Sequence, residues 1–404
     1  MLDKSFEEIK KSDIDGLIVD NVIEHKHLEY KRDLPSGKEQ DKIEYLADIS
    51  SFANSSGGHI IYGLGDKRDA EGKNTGIPEY VGLGKINSGE QKLKLEQIIQ
   101  NGIKPRIPGI QIKEIDGFNN GPIIIIRIPK SWAGPHMITL NNCSRFYSRT
   151  SSGKYQLDVG EIRMAFVLSE TLPQRIRQFR IERVNNISAY KTPIMLSTGP
   201  MMMLHVIPFS AFGTERESMI NIESVNYLEL PPIGQYSPQA YRYNFDGLLT
   251  HDHPIPSRDH PIPSESMGEY NGYVQLFRNG IIEAVNIYKI QSFISYTYEL
   301  SIVEAFKKYL SFQKKWSISL PIVISLTLIG VKDLYLDWSE PIVQRKSRHP
   351  IDRNDLIIPE VLVESFDAKI EQLMKPIFDT VWNAAGQARS LNYDNNGNWV
   401  GPRK

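Results

Sequence analysis

Ile43, Leu46, Ala47, Ile49 and Ala53 recur at helical spacing within residues 39–55, which predicts an amphipathic helix ending at Ser56-Gly57-Gly58, where glycine frees the backbone. His59 to Leu64 then reads as a buried strand and Leu93 to Ile99 as part of a second helix. The run Ile123-Ile124-Ile125-Ile126-Arg127-Ile128, closed by Pro122 and Pro129, is a β-branched stretch that predicts an interior strand. Arg145 to Arg149 reads as a further short strand, and 159–170 and 171–186 as two helices, with Pro173 marking the start of the second. Beyond about Tyr190 the chain turns rich in methionine and proline. There Met201–Phe209, Tyr241–Leu249, Gly272–Phe277 and Ile281–Tyr288 read as strands, and Tyr298–Leu310 and Glu364–Ala385 as helices. The predicted class is α+β: a mixed α/β domain over 1–190, then a second α+β domain over 191–404 that senses, dimerises or selects a partner. Asp252-His253-Pro254-Ile255-Pro256-Ser257 recurs as Asp259-His260-Pro261-Ile262-Pro263-Ser264, which predicts an exposed loop, and the tail after Leu391 reads as flexible.

Composition narrows the setting. The chain has 404 residues, 40% hydrophobic and 24% charged, the profile of an ordinary folded protein of two or three domains. A lone cysteine, Cys143, excludes an intrachain disulfide and a thiolate zinc knuckle. No apolar stretch approaches the roughly 20 residues of a membrane span, and MLDKSFEEIKKSDIDG carries no apolar leader core. A cytoplasmic protein with no membrane partner is expected. The net charge of −1 argues at first against nucleic acid, but its distribution does not. Residues 1–100 hold 14 Lys and Arg against 19 Asp and Glu, residues 101–190 hold 13 against 6, and residues 191–404 hold 20 against 23. The middle segment is therefore a candidate phosphate-tracking strip that includes Lys104, Lys130, Arg145 and Arg149 and runs on to Arg180 and Arg183, with a solvated charged face as the alternative.

Three acids bracket the glycine turn: Glu24, Glu29 and Asp66. A spacing of five separates Glu24 from Glu29 on either a helix or a strand, so the two converge only if the chain bends at His25 to His27. Asp66 follows Gly63 and Gly65 at the end of the predicted strand. Three carboxylates suit Mg²⁺ or Mn²⁺, hard cations that accept phosphate oxygens as further ligands. Lys31 and Arg32 follow the second acid and suit a developing phosphate charge. Asn54, Gly57 and Gly58 are candidates to offer donors to a phosphate, or else a plain helix-to-strand turn. Arg145, Tyr147 and Arg149 alternate, and so share one face of a strand that suits a nucleic-acid backbone. His136 reads as a base, a substrate contact or a loop cap. Ser151-Ser152-Gly153-Lys154 lacks the upstream glycine and the following hydroxyl of a phosphate-binding loop, which disfavours a P-loop ATPase.

Glu29-Tyr30-Lys31, Ser51-Phe52-Ala53-Asn54-Ser55-Ser56-Gly57-Gly58-His59-Ile60-Ile61-Tyr62-Gly63-Leu64, Ile103-Lys104-Pro105, Ile128-Pro129-Lys130-Ser131, Pro135-His136 and Arg145-Phe146-Tyr147-Ser148-Arg149 together resemble the Schlafen-type AlbA_2 domain, in family order over residues 20–165. The resemblance implies a metal-dependent endoribonuclease in which Glu24, Glu29 and Asp66 are the catalytic acids and metal ligands. It implies structured, tRNA-like RNA as the favoured partner, ahead of DNA, and an association with bacterial antiviral defence and a defence-system partner protein. It also implies two alternatives, a non-catalytic nucleic-acid-binding regulator and an ATP-binding sensor. The chain lacks the Cys/His zinc site of animal Schlafens and a second copy of the pattern, so the resemblance implies a dimer to build an equivalent cleft.

Overall fold

The computed structural model describes residues 6–402 apart from 69–70, 73, 214–218, 255–267, 289–292, 296 and 338–348. The chain divides into two units, Met1–Thr171 and Leu172–Lys404. Along the first run α1 (Lys11–Val19), β1 (Leu28–Lys31), α2 (Glu39–Asn54), β2 (Gly58–Tyr62), β3 (Leu64–Arg68), β4 (Asn74–Tyr80), α3 (Ser88–Gly102), β5 (Ile103–Lys104), β6 (Gln111–Ile115), β7 (Ile123–Ile128), β8 (Met137–Ile138), β9 (Arg145–Thr150), β10 (Gly153–Gln156) and the start of α4 (Val159–Ser188).

The isoleucine run is β7, interior to a four-stranded sheet of order β1-β2-β7-β6 in which β1 pairs parallel to β2 and the other pairs are antiparallel. Its alternation feeds two cores. Ile124, Ile126 and Ile128 join Ile60, Tyr62 and the apolar stripes of α2 and α3 on one face. Ile123 and Ile125 join Leu28, Tyr30, Ile61 and the α1 residues Ile14 and Leu17 on the other. A second sheet, β10-β9-β8-β5, packs against α2, so that helix lies between two sheets. Asn54, at the C-terminal end of α2, staples the layers. Its amide donates to the carbonyls of His136 (2.9 Å) and Tyr147 (2.8 Å), and its Oδ1 accepts from the His136 amide (2.7 Å).

Two helices are predicted on either side of Pro173, and the structure has one, α4. Proline in a helix removes one amide donor, while Leu172, Ile176, Arg180, Val184 and Ile187, all at or beyond that point, are buried in the second unit. Burial of that stripe carries the helix through. The units therefore divide inside α4, ahead of the boundary expected near Tyr190.

The second unit adds β11 (Met201–Pro208), β12 (Ala240–Tyr243), β13 (Gly247–His251), β14 (Gly272–Phe277), β15 (Ile282–Ile287), β16 (Phe293–Ser295), α5 (Tyr298–Lys315), β17 (Ile322–Ile329), β18 (Tyr335–Asp337), β19 (Asp355–Ile357), β20 (Val361–Val363) and α6 (Ile370–Ala384). Its main sheet runs β12-β13-β14-β15-β11-β17-β19, with β20 also on β17. One face packs on α5 and α6; the other covers Val184 and Ile187 of α4. The single strand expected over Tyr241–Leu249 is the hairpin β12–β13, because Asn244 Oδ1 accepts from the Gly247 amide (2.9 Å) and turns the chain. Glu283 on β15 is fully buried, yet Arg183 (2.7 and 2.8 Å), Tyr273 (2.9 Å) and His205 (3.1 Å) surround it. Burial pushes this carboxyl up, but Arg183 and His205 reverse the effect and hold it at about 2. Arg180 donates to the carbonyls of Leu326 and Ile358 and pairs with Glu360 at 3.1 Å. Arg180 and Arg183 are interior, so the basic strip drawn from the sequence does not extend through them as a surface. Of the duplicated Asp-His-Pro segments, residues 255–264 lie outside the described residues.

The tail expected to be flexible is folded. Ser390 and Asn392 donate to buried Glu299 on α5 at 2.8 and 2.9 Å, and Trp382 of α6 donates at 2.5 Å. Trp399 packs on Phe378 and Tyr393. No described helix is long and apolar enough to cross a membrane.

Burial raises Glu299 to about 7 in spite of those donors. Between its unfolded value near 4.5 and 7 the folded state holds a proton the unfolded state has lost, so stability falls as pH rises through that window, by about 3 kcal/mol in all. Denaturant titrations at pH 5 and pH 8 are expected to show this loss in the second unit, and Glu299→Gln to flatten it. In the first unit, Asn54→Ala removes three hydrogen bonds between layers and is expected to cost about 2–4 kcal/mol, read as a lowered Tm, with nucleic-acid binding retained by the folded fraction.

Candidate nucleic-acid site

The segment after α1 turns between His25 and Leu28, whose amides and carbonyls bond each other in both directions (3.1 and 2.9 Å). The turn brings Glu24 back along β1, where its Oε1 accepts from the Tyr30 amide at 2.6 Å. Gly76 on β4 ties Glu24 to Asp66: its carbonyl accepts from the Glu24 amide (3.2 Å), and its own amide donates to the Asp66 carboxylate. Gly76 sits at φ +74°, and a Cβ there would stand 3.0 Å from Ile23. A register shift in the β3–β4 ladder between Asp66 and Arg68 re-aims this end of the hairpin.

The three acids lie within each other's electrostatic reach. Burial raises the Glu24 carboxyl, the Tyr30 amide offsets part of this, and the charges of Glu29 and Asp66 raise it further. Burial also raises Asp66, against the pull of Gly76. Glu29 behaves differently. Burial pushes it up, but Lys31 Nζ lies 2.7 Å from Oε1 and Arg149 Nη1 2.8 Å from Oε2, and these cations bring it below the usual range.

That pairing belongs to a longer alternation of charge that sequence reasoning missed. Asp48 of α2 is 1% exposed, with Lys31 3.1 Å from one oxygen and Lys154 2.6 Å from the other; Lys154 also pairs with Glu44. Lys154 and Arg149 are register partners across the β9–β10 hairpin, which sets them side by side. Arg149 further lies over the Phe52 ring, 3.7 Å from its centroid. The signal was present in the sequence: Asp48 interrupts the apolar stripe of α2, where a carboxylate survives only if paired.

The remaining predicted residues scatter in role. Asn54 is spent on the staple between layers, and the Gly57 amide bonds the Phe52 carbonyl at 2.9 Å, so neither donor points to a phosphate as expected. Gly57 (φ +70°) and Gly58 are needed for closeness: a Cβ on Gly57 would stand 2.6 Å from the Lys130 amide, and on Gly58 2.4 Å from the His27 carbonyl. Arg32 pairs with Glu79 at 3.2 Å and Lys130 lies over Trp132. Lys104 and Arg145 are exposed, Tyr147 packs at the edge of the core, and Arg149 turns inward to Glu29, so the face shared by Arg145, Tyr147 and Arg149 runs from solvent to interior. His136 is buried with Nδ1 2.8 Å from the Pro105 carbonyl, which is the role of a loop cap.

A hard cation finds a partial fit. Asp66 Oδ1 is buried without a hydrogen-bond partner, and Glu24 shares its uncompensated charge. Glu29 is closed by its own cations, and among the described residues no group of three or more His, Cys, Asp or Glu is placed to hold a metal. Two carboxylates are enough for Mg²⁺ or Mn²⁺ when phosphate and water complete the shell.

Residues 24–158 match the Schlafen, AlbA_2 family. No curated protein matches the chain. Among solved structures, the N-terminal domain of a protein from Nitrosomonas europaea named as RecG-related, of the ATP-dependent DNA helicases, aligns at 16% identity over 36% of this chain and 92% of that one, with a TM-score of 0.26. The DIP2311 protein from Corynebacterium diphtheriae aligns at 10% identity over 68% of each chain, with a TM-score of 0.25. Residues 24–158, with the acids, the glycine turn and the paired cations described above, are a Schlafen AlbA_2 domain within a longer α+β chain.

Proposed function

We propose that the AlbA_2 unit binds nucleic acid, RNA ahead of DNA, and cleaves its phosphodiester backbone with Mg²⁺ or Mn²⁺ held at Glu24 and Asp66. The family match supports a nucleic-acid-related role. The observation that carries the finer reading is the convergence of Glu24, Glu29 and Asp66 beside Lys31 and Arg149. When bound, a divalent cation supplies Lewis-acid polarisation of a phosphate oxygen. The protein's own part is positional and electrostatic. Lys31 and Arg149 neutralise charge that develops on phosphorus, and the Arg149 fork orients a phosphate. Glu24, whose proton affinity is raised, accepts a proton at the oxygen not held by Tyr30. Exposed Lys104 and Arg145 lie on the same unit and steer the backbone.

One observation favours a second reading, a non-catalytic nucleic-acid-binding regulator: the closed ion pairs of Glu29. One experiment separates the two. Purified protein is incubated with total tRNA, ribosomal RNA and single- and double-stranded DNA, with Mg²⁺, Mn²⁺ or EDTA, beside the Glu24→Ala, Glu29→Ala, Asp66→Ala variant. The nuclease reading expects cation-dependent cleavage that falls by a factor on the order of a hundred or more in the variant. Binding that weakens steeply with salt, is equal in both proteins and yields no product in any condition would replace it with the regulator.

A further inference from the structure

Glu24 and Asp66 stand without a matching cation, whereas Glu29 spans two. A carboxylate bridging an ammonium and a guanidinium imitates the two non-bridging oxygens of a phosphodiester, which the same cations recognise. The cations are anchored independently of Glu29. Lys31 is held by Asp48, whose other oxygen is fixed by Lys154, and Arg149 is seated on the Phe52 ring with its side chain 5% exposed. Glu29 is the more exposed member of its pair with Arg149, at 16%. If one partner in this cluster leaves, it is Glu29.

Resting on the nuclease reading above, we propose that Glu29 is an internal stand-in for the substrate phosphate: a phosphodiester entering between Lys31 and Arg149 takes its place, and the released carboxylate joins Glu24 and Asp66 in holding the divalent cation. Nucleic acid and cation then bind cooperatively, each raising the other's affinity by the same factor. Without nucleic acid, a cation that recruits Glu29 must draw it away from two positive charges. Asp48 and Lys154 become positioning residues, keeping Lys31 in place as its partner changes from carboxylate to phosphate.

The test follows Mn²⁺ binding to the full chain by loss of the free-ion electron paramagnetic resonance signal, with and without a short 2′-O-methyl oligoribonucleotide, whose own Mn²⁺ uptake is subtracted. The oligonucleotide is expected to tighten Mn²⁺ binding on the order of tenfold, and Mn²⁺ to tighten oligonucleotide binding equally. Arg149→Gln frees Glu29, so Mn²⁺ should bind at the tightened level with no oligonucleotide present. Lys31→Met, at a more exposed side chain, should do the same and guards against a folding defect in the first variant. Equal Mn²⁺ affinity with and without oligonucleotide, or no gain in either variant, overturns the exchange. The paired variant Glu24→Gln, Asp66→Asn separates the two levels of the argument. Undiminished Mn²⁺ binding in that variant overturns the cation site itself, whereas binding that needs both acids yet ignores the oligonucleotide overturns the exchange alone.

Discussion

A carboxylate cut off from water has to be neutralised by its neighbours, and Asp48 imposes that demand on the first unit. It sits on a helix packed between two sheets, so its cations must come from both sides: Lys31 from the edge strand of one sheet, Lys154 from the hairpin of the other. Each brings its own acid, Glu29 or Glu44, and Arg149 completes the alternation. Six charges from four elements are thereby ordered at one edge of the core. Glu24 and Asp66, gathered by the Gly76 turn, are left outside the compensation. The contrast between a compensated and an uncompensated half gives this site its chemistry.

Much of the first unit was legible in its sequence, for physical reasons. Four consecutive isoleucines between prolines have few homes except a strand buried on both faces, and β7 is that strand. The glycine pair after α2 follows from the absence of room for a Cβ. The bend on which the meeting of Glu24 and Glu29 depends was readable only as a condition, because a turn of this kind is sealed by backbone bonds to Leu28 that composition does not specify. The inward path of Arg149 was not readable. Alternation places Arg145, Tyr147 and Arg149 on one face, but whether that face meets water depends on where α2 lies.

The second unit was less legible. The central strand β17, in the run Ile322 to Ile329, went unassigned, although it pairs with β11 along its length and carries two further strands. Apolar runs of this length suit a buried helix as well as a strand, and only the sheet settles the choice. Pro173 misled in the opposite direction. A proline that can begin a helix was read as a boundary, whereas the apolar positions beyond it decide the matter by burial.

The C-terminal segment looked dispensable because it is polar and rich in asparagine, yet its asparagine and serine are the donors that a buried glutamate on α5 lacks within its own helix. This gives the second unit a fixed order of completion during synthesis. Until Ser390 and Asn392 have left the ribosome, Glu299 must either keep a proton or keep water, and α5 cannot settle against α6. Folding of the whole unit therefore waits on nearly the last residues of the chain to be made.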